Sequence, residues 1–298
     1  MPDLKEKNML YLVGTPIGNL GDMTLRAIET LKSVDFVCAE DTRVTAGLLT
    51  HLGVKKPLVS YYEHNKLERG PQIIERLKKG ENAALVTDAG MPGISDPGEH
   101  IVKLCIEEGV PYCVVPGPCA FVAGAVMSGI STSKILFMGF LPENKKQAAP
   151  MLETISKTEA TVCLYESPYN ILKTLKTLET AAPGRMIALC REITKIHEEV
   201  KRGTAKELFE MLTEEPPRGE YVVVIEGAKP VKDDPETAEK AGKIKDGDEN
   251  AVAEFIAGVN AAIEGGMKRN EAVKTVGVRF GLTRSEAYEI YGKGGREG

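Results

Sequence analysis

Several features that would assign a protein to a particular class are missing from this sequence. No apolar run approaches the length of about 20 residues that a membrane-spanning helix requires. The first residues, MPDLKEKN, are too polar for a secretory signal. The six cysteines are scattered, with no Cys-x-x-Cys pair, which argues against a structural zinc site and against a disulfide framework. We therefore expect a cytoplasmic protein with reduced thiols and no metal.

An excess of basic charge is also lacking. The 298 residues carry a formal net charge of -5, so a contact with nucleic acid would have to come from a local patch. A dinucleotide fingerprint is missing too. The first glycine loop, GTPIGNL at 14–20, has the wrong glycine spacing, and Pro16 removes a donor that a phosphate cradle would use. This loop is therefore predicted to make room for a ligand without phosphate.

The stretch that organises the chain is ALVTDAGMPGISDPG at 84–98. An apolar strand ends there near Asp88, and glycine and proline residues then prevent a helix or a strand from continuing. In open α/β sheets, ligands bind at the carboxyl ends of strands, where such loops let backbone amides approach them. The stretch is predicted to bind a ligand. A tight turn capped by Asp88 is the alternative, and composition favours neither reading.

Strand and helix signals alternate through the first half, which is typical of an α/β fold with a doubly wound parallel sheet. The first four predicted strands are 9–13, 35–40, 58–61 and 83–86. Glu40 and Asp41 follow the second strand, with Thr42 as the predicted cap of the next helix, and His64 follows the third strand. Each residue alone fits a helix start or a turn. Their joint position at strand ends favours an active site at this edge.

The rest of the chain contains further α/β layers and a distinct tail. A strand at 112–115 leads into small residues that begin a helix, and further strands are predicted at 136–139, 160–165, 186–190 and 219–227. Thr204 and Glu207 form a predicted capping box. From Lys232 the tail is acidic as far as Glu264 and basic beyond it. Its helical periodicity, with Thr283 and Glu286 capping the last helix, resembles a helix-turn-helix unit; a helical lid or a dimerisation element is an equal alternative.

Eight motifs together resemble the tetrapyrrole-methylase superfamily over residues 10–227. They are VGTPIGNLGDMTLRA, AEDTR, SYYEHN, TDAGMPGISDPG, VVPGPCA, the ESP turn, REITKIHEE and GEYVVVIEG. TDAGMPGISDPG and the PG turn before small residues are shared across the superfamily. AEDTR, SYYEHN and REITKIHEE resemble more specifically its branch that methylates ribosomal RNA.

The resemblance implies two αβα domains, 1–131 and 132–231, with S-adenosylmethionine held in the cleft between them, followed by a small C-terminal helical domain, 232–298. It also implies a homodimer that methylates the ribose 2′-oxygen of a cytidine, position 1402, in the decoding region of 16S rRNA, within the small ribosomal subunit. The cofactor-binding residues that it implies are Pro16, Asp88, Gly90, Met91, Cys119, Ala120, Tyr165 and Cys190.

Methyl transfer from a sulfonium requires alignment of the reactants and a group that takes the hydroxyl proton. The candidates for taking the proton or orienting the ribose are Glu40, Asp41, His64 and Glu192, and the sequence does not choose among them. The candidates for RNA binding are Arg43, Arg191, Lys195, Lys268, Arg269, Arg279 and Arg284. Two alternatives stay open, a small-molecule tetrapyrrole methylase and a non-catalytic ribosome-binding protein of the same fold.

Overall fold

The structure is a computed structural model that describes residues 8–229, 249–264 and 267–294. The chain forms two compact units, Met1–Ala228 and Lys229–Gly298. Within the described ranges, no helix is both long enough and apolar enough to cross a membrane.

The first five strands form a wholly parallel sheet in the order β3-β2-β4-β1-β5. They are β1 (Leu10–Val13), β2 (Phe36–Ala39), β3 (Leu58–Ser60), β4 (Ala83–Val86) and β5 (Tyr112–Val115). The helices that follow them are α1 (Leu25–Ser33), α2 (Thr42–His51), α3 (Lys66–Lys78), α4 (Gly98–Glu107) and α5 (Ala120–Ser128). Separate apolar clusters bury the two faces of the sheet, as parallel sheets require. The predicted parallel α/β sheet is therefore confirmed.

The next five strands form a mixed sheet in the order β6-β7-β10-β8-β9. They are β6 (Ile135–Phe140), β7 (Thr161–Glu166), β8 (Ile187–Arg191), β9 (Glu199–Gly203) and β10 (Tyr221–Ile225). Strands β6 and β7 are parallel, whereas β10 runs antiparallel to β7 and β8, and β9 runs antiparallel to β8. The helices are α6 (Lys145–Lys157), α7 (Ile171–Ala181) and α8 (Ala205–Glu214). The capping box of Thr204 and Glu207 is confirmed, whereas β9 and α6 were not predicted from the sequence.

Helix α5 follows the first sheet in the chain but packs on the second. Its Ala125 lies in one buried apolar cluster with Cys190 and Val222. A Cβ atom on Gly124 would lie 2.7 Å from Val222 Cγ1, so the helix approaches β10 as closely as a backbone can. The predicted domain boundary between residues 131 and 132 falls just after this helix and stays a prediction.

The C-terminal unit contains three described helices, α9 (Glu249–Glu264), α10 (Arg269–Arg279) and α11 (Arg284–Gly294). They enclose an apolar cluster that includes Phe255 and Val273. Thr283 caps the last helix, because its Oγ1 accepts from the Glu286 N–H at 3.3 Å while its own N–H donates to the Glu286 carboxylate at 2.7 Å. The predicted start of the first helix, at residues 246–248, lies outside the described residues.

The close approach of α5 to β10 predicts a size-complementary pair. Gly124→Ala should lower the free energy of unfolding by about 1–3 kcal/mol, because the new methyl group overlaps Val222. In Gly124→Ala combined with Val222→Ala, the truncated valine makes room for that methyl group. The double variant, measured by urea denaturation, should therefore lose less stability than the sum of the single variants. Additive losses would show that the cost of Gly124→Ala does not come from overlap of the new methyl group with Val222.

Candidate active site

Three glycine loops meet at the carboxyl edge of the first sheet. A Cβ atom on Gly14, after β1, would lie 2.7 Å from the backbone of Gly117, after β5. The Gly117 N–H donates to the sulfur of Met91 at 3.1 Å. Thr15 and Gly90 exchange two backbone hydrogen bonds, at 2.9 and 3.2 Å, which join the loop after β1 to the loop after β4. These contacts fix the position of residues 88–91, the stretch that the sequence singles out.

The loop from Gly93 to Gly98 is held by a carboxylate inside it. Asp96 accepts hydrogen bonds from the Gly93 N–H at 2.8 Å and from the Gly98 N–H at 2.7 Å. Burial raises the pKa of Asp96, although these amide hydrogen bonds act in the opposite direction. Ser95 has a φ angle of +66°, which non-glycine residues rarely adopt, and the hydrogen bonds of Asp96 hold this unfavourable backbone in place.

A cavity of about 480 Å³ lies between these loops and the second sheet. Seven of the eight predicted cofactor-binding residues line it, namely Asp88, Gly90, Met91, Cys119, Ala120, Tyr165 and Cys190. Among the described residues, its walls hold six carboxylates, those of Glu40, Asp88, Asp96, Glu166, Glu192 and Glu220, and one lysine, Lys195. Pro16 lines a second, adjoining cavity of about 570 Å³. The first cavity is thus suited to a neutral or cationic ligand and unsuited to a phosphate.

The Tyr165 hydroxyl lies at the start of α5, where it accepts a hydrogen bond from the Phe121 N–H at 3.3 Å. Burial raises its pKa, so the tyrosine is neutral. Its ring packs edge-on against Phe137 and Phe140, with centroids 4.9 and 5.6 Å away. The aromatic cluster gives the cavity one apolar wall beside its carboxylates.

Glu40 and Asp41 come directly after β2 but have different partners. Glu40 lines the cavity and accepts a hydrogen bond from the Thr87 hydroxyl at 2.7 Å. The Asp41 carboxylate caps α2 by accepting from the Arg43 N–H at 2.8 Å, and it forms an ion pair with the Arg43 guanidinium at 2.6 Å. These bonds lower the pKa of Asp41 to about 2. The prediction that Thr42 caps this helix is therefore wrong, because Thr42 is the first helical residue and Asp41 precedes it.

Asp88 connects the carboxyl end of β4 to that of β2. Its carboxylate accepts from the Asp41 N–H at 3.0 Å. Burial raises the pKa of Asp88, and the nearby carboxylates of Glu40 and Asp41 raise it further.

A strained loop after β8 carries the cation of the cavity. Glu192 and Thr194 have φ angles of +50° and +69°, which non-glycine residues rarely adopt. The Glu192 carboxylate accepts from Lys195 Nζ at 2.9 Å and from the Glu220 N–H at 3.0 Å. Burial would raise the pKa of Glu192, but these two hydrogen bonds outweigh it and hold the pKa below its usual value. The Lys195 ammonium also donates to the Glu220 carboxylate at 3.1 Å, so a carboxylate on each side holds it in place.

Residues 9–209 match the sequence model of the Tetrapyrrole (Corrin/Porphyrin) Methylases. The chain belongs to this family. It is 38% identical over 95% of its length to a Ribosomal RNA small subunit methyltransferase I of Synechocystis, covering 96% of that protein. It is 41% identical over 96% of its length to a protein of the same name from Halalkalibacterium halodurans, covering 95% of that protein.

Solved structures of tetrapyrrole methylases share the fold. A uroporphyrin-III-C-methyltransferase from Thermus thermophilus matches 74% of this chain and 94% of its own, with a TM-score of 0.55 and 21% identity. A cobalt precorrin-4 methyltransferase matches 76% of this chain and 97% of its own, with a TM-score of 0.55 and 18% identity. The expected tetrapyrrole-methylase fold is thereby confirmed.

Not all predicted site residues of this family member come together. His64 is exposed in the loop after β3, where its ring centroid lies 6.2 Å from that of Tyr62, and it lines neither cavity. Arg191 pairs with Glu199 at 3.3 Å and lines a separate cavity of about 310 Å³. The Arg43 side chain is 89% exposed.

The predicted RNA-binding residues of the tail lie in the C-terminal unit. Lys268 is exposed just before α10. Arg269 lies over the ring of Tyr291 and Arg284 over that of Tyr288, with guanidinium carbons 5.3 and 5.9 Å from the ring centroids. The side chain of Arg279 lies outside the described residues.

The sequence reasoning missed three carboxylates of the cavity: Asp96, Glu166 and Glu220. The sequence did contain a signal for two of them. Asp96 begins an Asp-Pro-Gly turn and Glu166 a Glu-Ser-Pro turn, and both turns follow predicted strands. Glu220 had no signal of its own, because only the antiparallel pairing of β10 with β8 brings it beside Glu192.

The hydrogen bonds of Glu192 predict a pKa change in a lysine variant. In Lys195→Met the ammonium donor is lost while burial remains, so the pKa of Glu192 should rise. Carbon-13 NMR titration of the glutamate carboxyls would measure this. In the unsubstituted protein the ionised Glu192 stabilises the fold, and that contribution is lost as the pH falls through its lowered folded-state pKa; the variant should show a weaker loss in acid.

Lys201→Met is the matched control for this titration. Its ammonium pairs with Glu215 at 2.9 Å and with Glu199 at 3.7 Å, and it bonds to neither Glu192 nor Glu220. The control should leave the Glu192 titration unchanged. Equal titration curves in both variants would mean that Lys195 does not hold the carboxylate ionised.

Proposed function

We propose that this protein transfers a methyl group from S-adenosylmethionine to the ribose 2′-hydroxyl of a cytidine, position 1402, in the 16S rRNA of the small ribosomal subunit. The observation that carries the proposal is the carboxylate-rich cavity at the meeting point of the three glycine loops, in a chain so similar to relatives named as ribosomal RNA small subunit methyltransferases. A homodimer is part of the proposal, since the family resemblance implies one.

The chemistry of the cavity supports this cofactor. S-adenosylmethionine has a positively charged sulfur and no phosphate, and the walls carry six carboxylates against one lysine. The residues that would hold it are Asp88, the loop residues Gly90 and Met91, Ala120 at the start of α5, and Tyr165. When bound, the cofactor supplies an activated methyl group, so the protein has mainly to align the acceptor oxygen.

The four candidates for the proton acceptor differ in their contacts and in whether they line the cavity. Asp41 is bound to Arg43 and Glu192 to Lys195, and both have lowered pKa values that make them weak bases. His64 lines neither cavity. Glu40 lines the cavity, where the Thr87 hydroxyl donates to its Oε2 at 2.7 Å, so its Oε1 can face a ligand. We therefore assign the proton-accepting role to Glu40.

RNA binding is assigned to cations outside the cavity. Arg43 at the start of α2 is exposed beside the second cavity, whose wall includes the next residue, Val44. Lys268, Arg269 and Arg284 lie on the C-terminal unit. Lys195 is less suited to a phosphate than the sequence suggests, because Glu192 and Glu220 already accept two of its hydrogen bonds.

The decisive assay is transfer of labelled methyl from S-adenosylmethionine to three acceptors: unmodified small ribosomal subunits, stripped 16S rRNA and a porphyrin precursor. We expect label in RNA, in a position that resists alkaline cleavage, because a 2′-O-methyl group blocks hydrolysis of the adjacent phosphodiester. A comparison of subunits with stripped RNA identifies the assembled state of the substrate. Label in the porphyrin alone would favour the second candidate, a tetrapyrrole methylase, which the family description and the matching solved structures suggest.

A cofactor-site variant controls the assay. Ala120→Leu places a larger side chain in the cavity wall, and it should weaken binding of S-adenosylhomocysteine, measured calorimetrically, by about tenfold or more. Val122→Leu on the same helix is the matched control, because Val122 is exposed and does not line the cavity. Cofactor binding without methylation of any acceptor would support the ribosome-binding alternative.

The cations of the C-terminal unit predict a change in salt dependence. RNA affinity should fall steeply with salt, and Lys268→Gln and Arg284→Gln should each reduce the slope of log K against log salt by about one phosphate contact. Lys103→Gln is the control, since Lys103 pairs with Glu99 along an exposed face of α4. Equal slopes for all three variants and the unsubstituted protein would remove the C-terminal unit from the RNA interface.

A further inference from the structure

The second cavity shares a wall with the first. Its volume is about 570 Å³, and six residues line both cavities: Ile17, Thr87, Asp88, Ala89, Lys195 and Glu220. The opposite wall is formed by the loop after β1 and by one face of α2, including Val44, Gly47 and Leu48. A donor and an acceptor of a methyl group must lie in adjoining spaces for direct transfer. The two cavities have this relationship.

Gly47 lies inside α2, where neither the backbone conformation nor the packing requires a glycine. Its φ is not positive, and a Cβ atom there would meet no atom within 4 Å. Gly70 and Gly124, which also lie inside helices of the first unit, differ in this respect, since a Cβ would lie 2.6 Å from Leu104 Cδ1 at Gly70 and 2.7 Å from Val222 Cγ1 at Gly124. Glycine also weakens a helix relative to alanine. The absent side chain leaves open space on the cavity side of α2.

The walls of the second cavity fit a nucleoside. Ile17, Leu20, Val44 and Leu48 supply apolar surface for the face of a base, and the side chains of Leu20 and Val44 are about half exposed. The shared wall supplies the carboxylates of Asp88 and Glu220. A carboxylate accepts hydrogen bonds from the exocyclic amine of cytosine, whereas the uracil carbonyl at that position would be repelled.

We propose that the second cavity is the binding site for the acceptor cytidine of the RNA, with Gly47 leaving the space that the nucleoside occupies. This inference rests on the proposed methyl transfer to RNA. It adds the location of the acceptor, the role of α2 in its selection and the carboxylates that distinguish cytosine.

The test fills the cavity from α2 without altering the cofactor cavity. Gly47→Leu introduces a side chain into open space on a helical backbone, so the melting temperature and the affinity for S-adenosylhomocysteine should not fall. Ala46→Leu is the matched control, because Ala46 is exposed on the same helix and lines neither cavity. Val44→Phe fills the same space from an exposed position, and it decides the matter if Gly47→Leu does not fold.

Two measurements report on the nucleoside itself. The first is the equilibrium affinity, with S-adenosylhomocysteine present, for two labelled RNAs of the decoding region that differ only in the target base, which is present in one and absent in the other. The unsubstituted protein and Ala46→Leu should prefer the intact RNA by about tenfold, or about 1.4 kcal/mol. Gly47→Leu and Val44→Phe should bind both RNAs equally. The second measurement is KM for RNA, which should rise by about tenfold or more in these two variants alone.

The outcomes separate this inference from the proposed function. If the unsubstituted protein methylates RNA, and Gly47→Leu and Val44→Phe keep both its KM and its preference for the intact base, the second cavity does not hold the acceptor and the inference is overturned while the function stands. If the unsubstituted protein methylates no RNA, the proposed function fails and the inference fails with it.

Discussion

Backbone contact between neighbouring loops is the constraint on which the rest of this site depends. Strands β4, β1 and β5 are adjacent in the sheet, so the loops that follow them must share one small region. Gly14 and Gly117 allow their backbones to touch, and Thr15 and Gly90 pair across the next gap. A side chain at Gly14 or Gly117 would push these loops apart. The loops after β1 and β5 therefore contribute mainly backbone to the cavity, and its carboxylates come from the ends of β2 and β4 and from the second sheet.

A second constraint is the negative charge of the carboxylates that line the first cavity. Five of its six carboxylates accept hydrogen bonds from hydroxyl or amide groups of the chain. The donors are the Thr87 hydroxyl for Glu40, the Asp41 amide for Asp88, the Gly93 and Gly98 amides for Asp96, the Thr174 hydroxyl and Ser167 amide for Glu166, and the Glu220 amide for Glu192. Neutral donors satisfy a buried carboxylate without cancelling its charge. The cavity therefore keeps a negative potential, which favours a cationic ligand over a phosphate.

The sequence was informative where a local signal sets the structure. Apolar strands followed by glycine and proline residues predicted the parallel sheet and the position of its carboxyl edge. Thr204 and Glu207 predicted the start of a helix, and the structure confirms it. Helix α6 was missed because its lysine-rich start and internal Pro150 do not follow helical rules. Strand β9 was missed because its charged residues do not alternate with apolar ones.

The parts of the site that depend on long-range pairing could not be predicted. Glu192 and Glu220 are 28 positions apart, and they meet because β8 and β10 pair in an antiparallel register. The side chain of Asp41 was expected to face a substrate and caps α2 instead, because a carboxylate one residue before a helix satisfies free amides there. A charged residue at a strand end can either cap the next helix or face a ligand. The positions of its neighbours in the fold determine which of the two it does.

The loop after β8 explains how the second sheet closes the site against the first. The unfavourable backbone of Glu192 and Thr194 costs about 1–3 kcal/mol at each residue and persists only if the surrounding contacts hold it. Those contacts are the hydrogen bonds of Glu192 to Lys195 and Glu220, and the approach of Lys195 to Gly18, where a Cβ atom would lie 2.4 Å from the lysine stem. The absence of a side chain at Gly18, in the loop after β1, thus leaves room for the stem of Lys195, in the loop after β8. The strained backbone of the loop after β8 and the missing side chain of Gly18 both contribute to this contact between the loops. Together they place the Lys195 ammonium in the wall that the two cavities share.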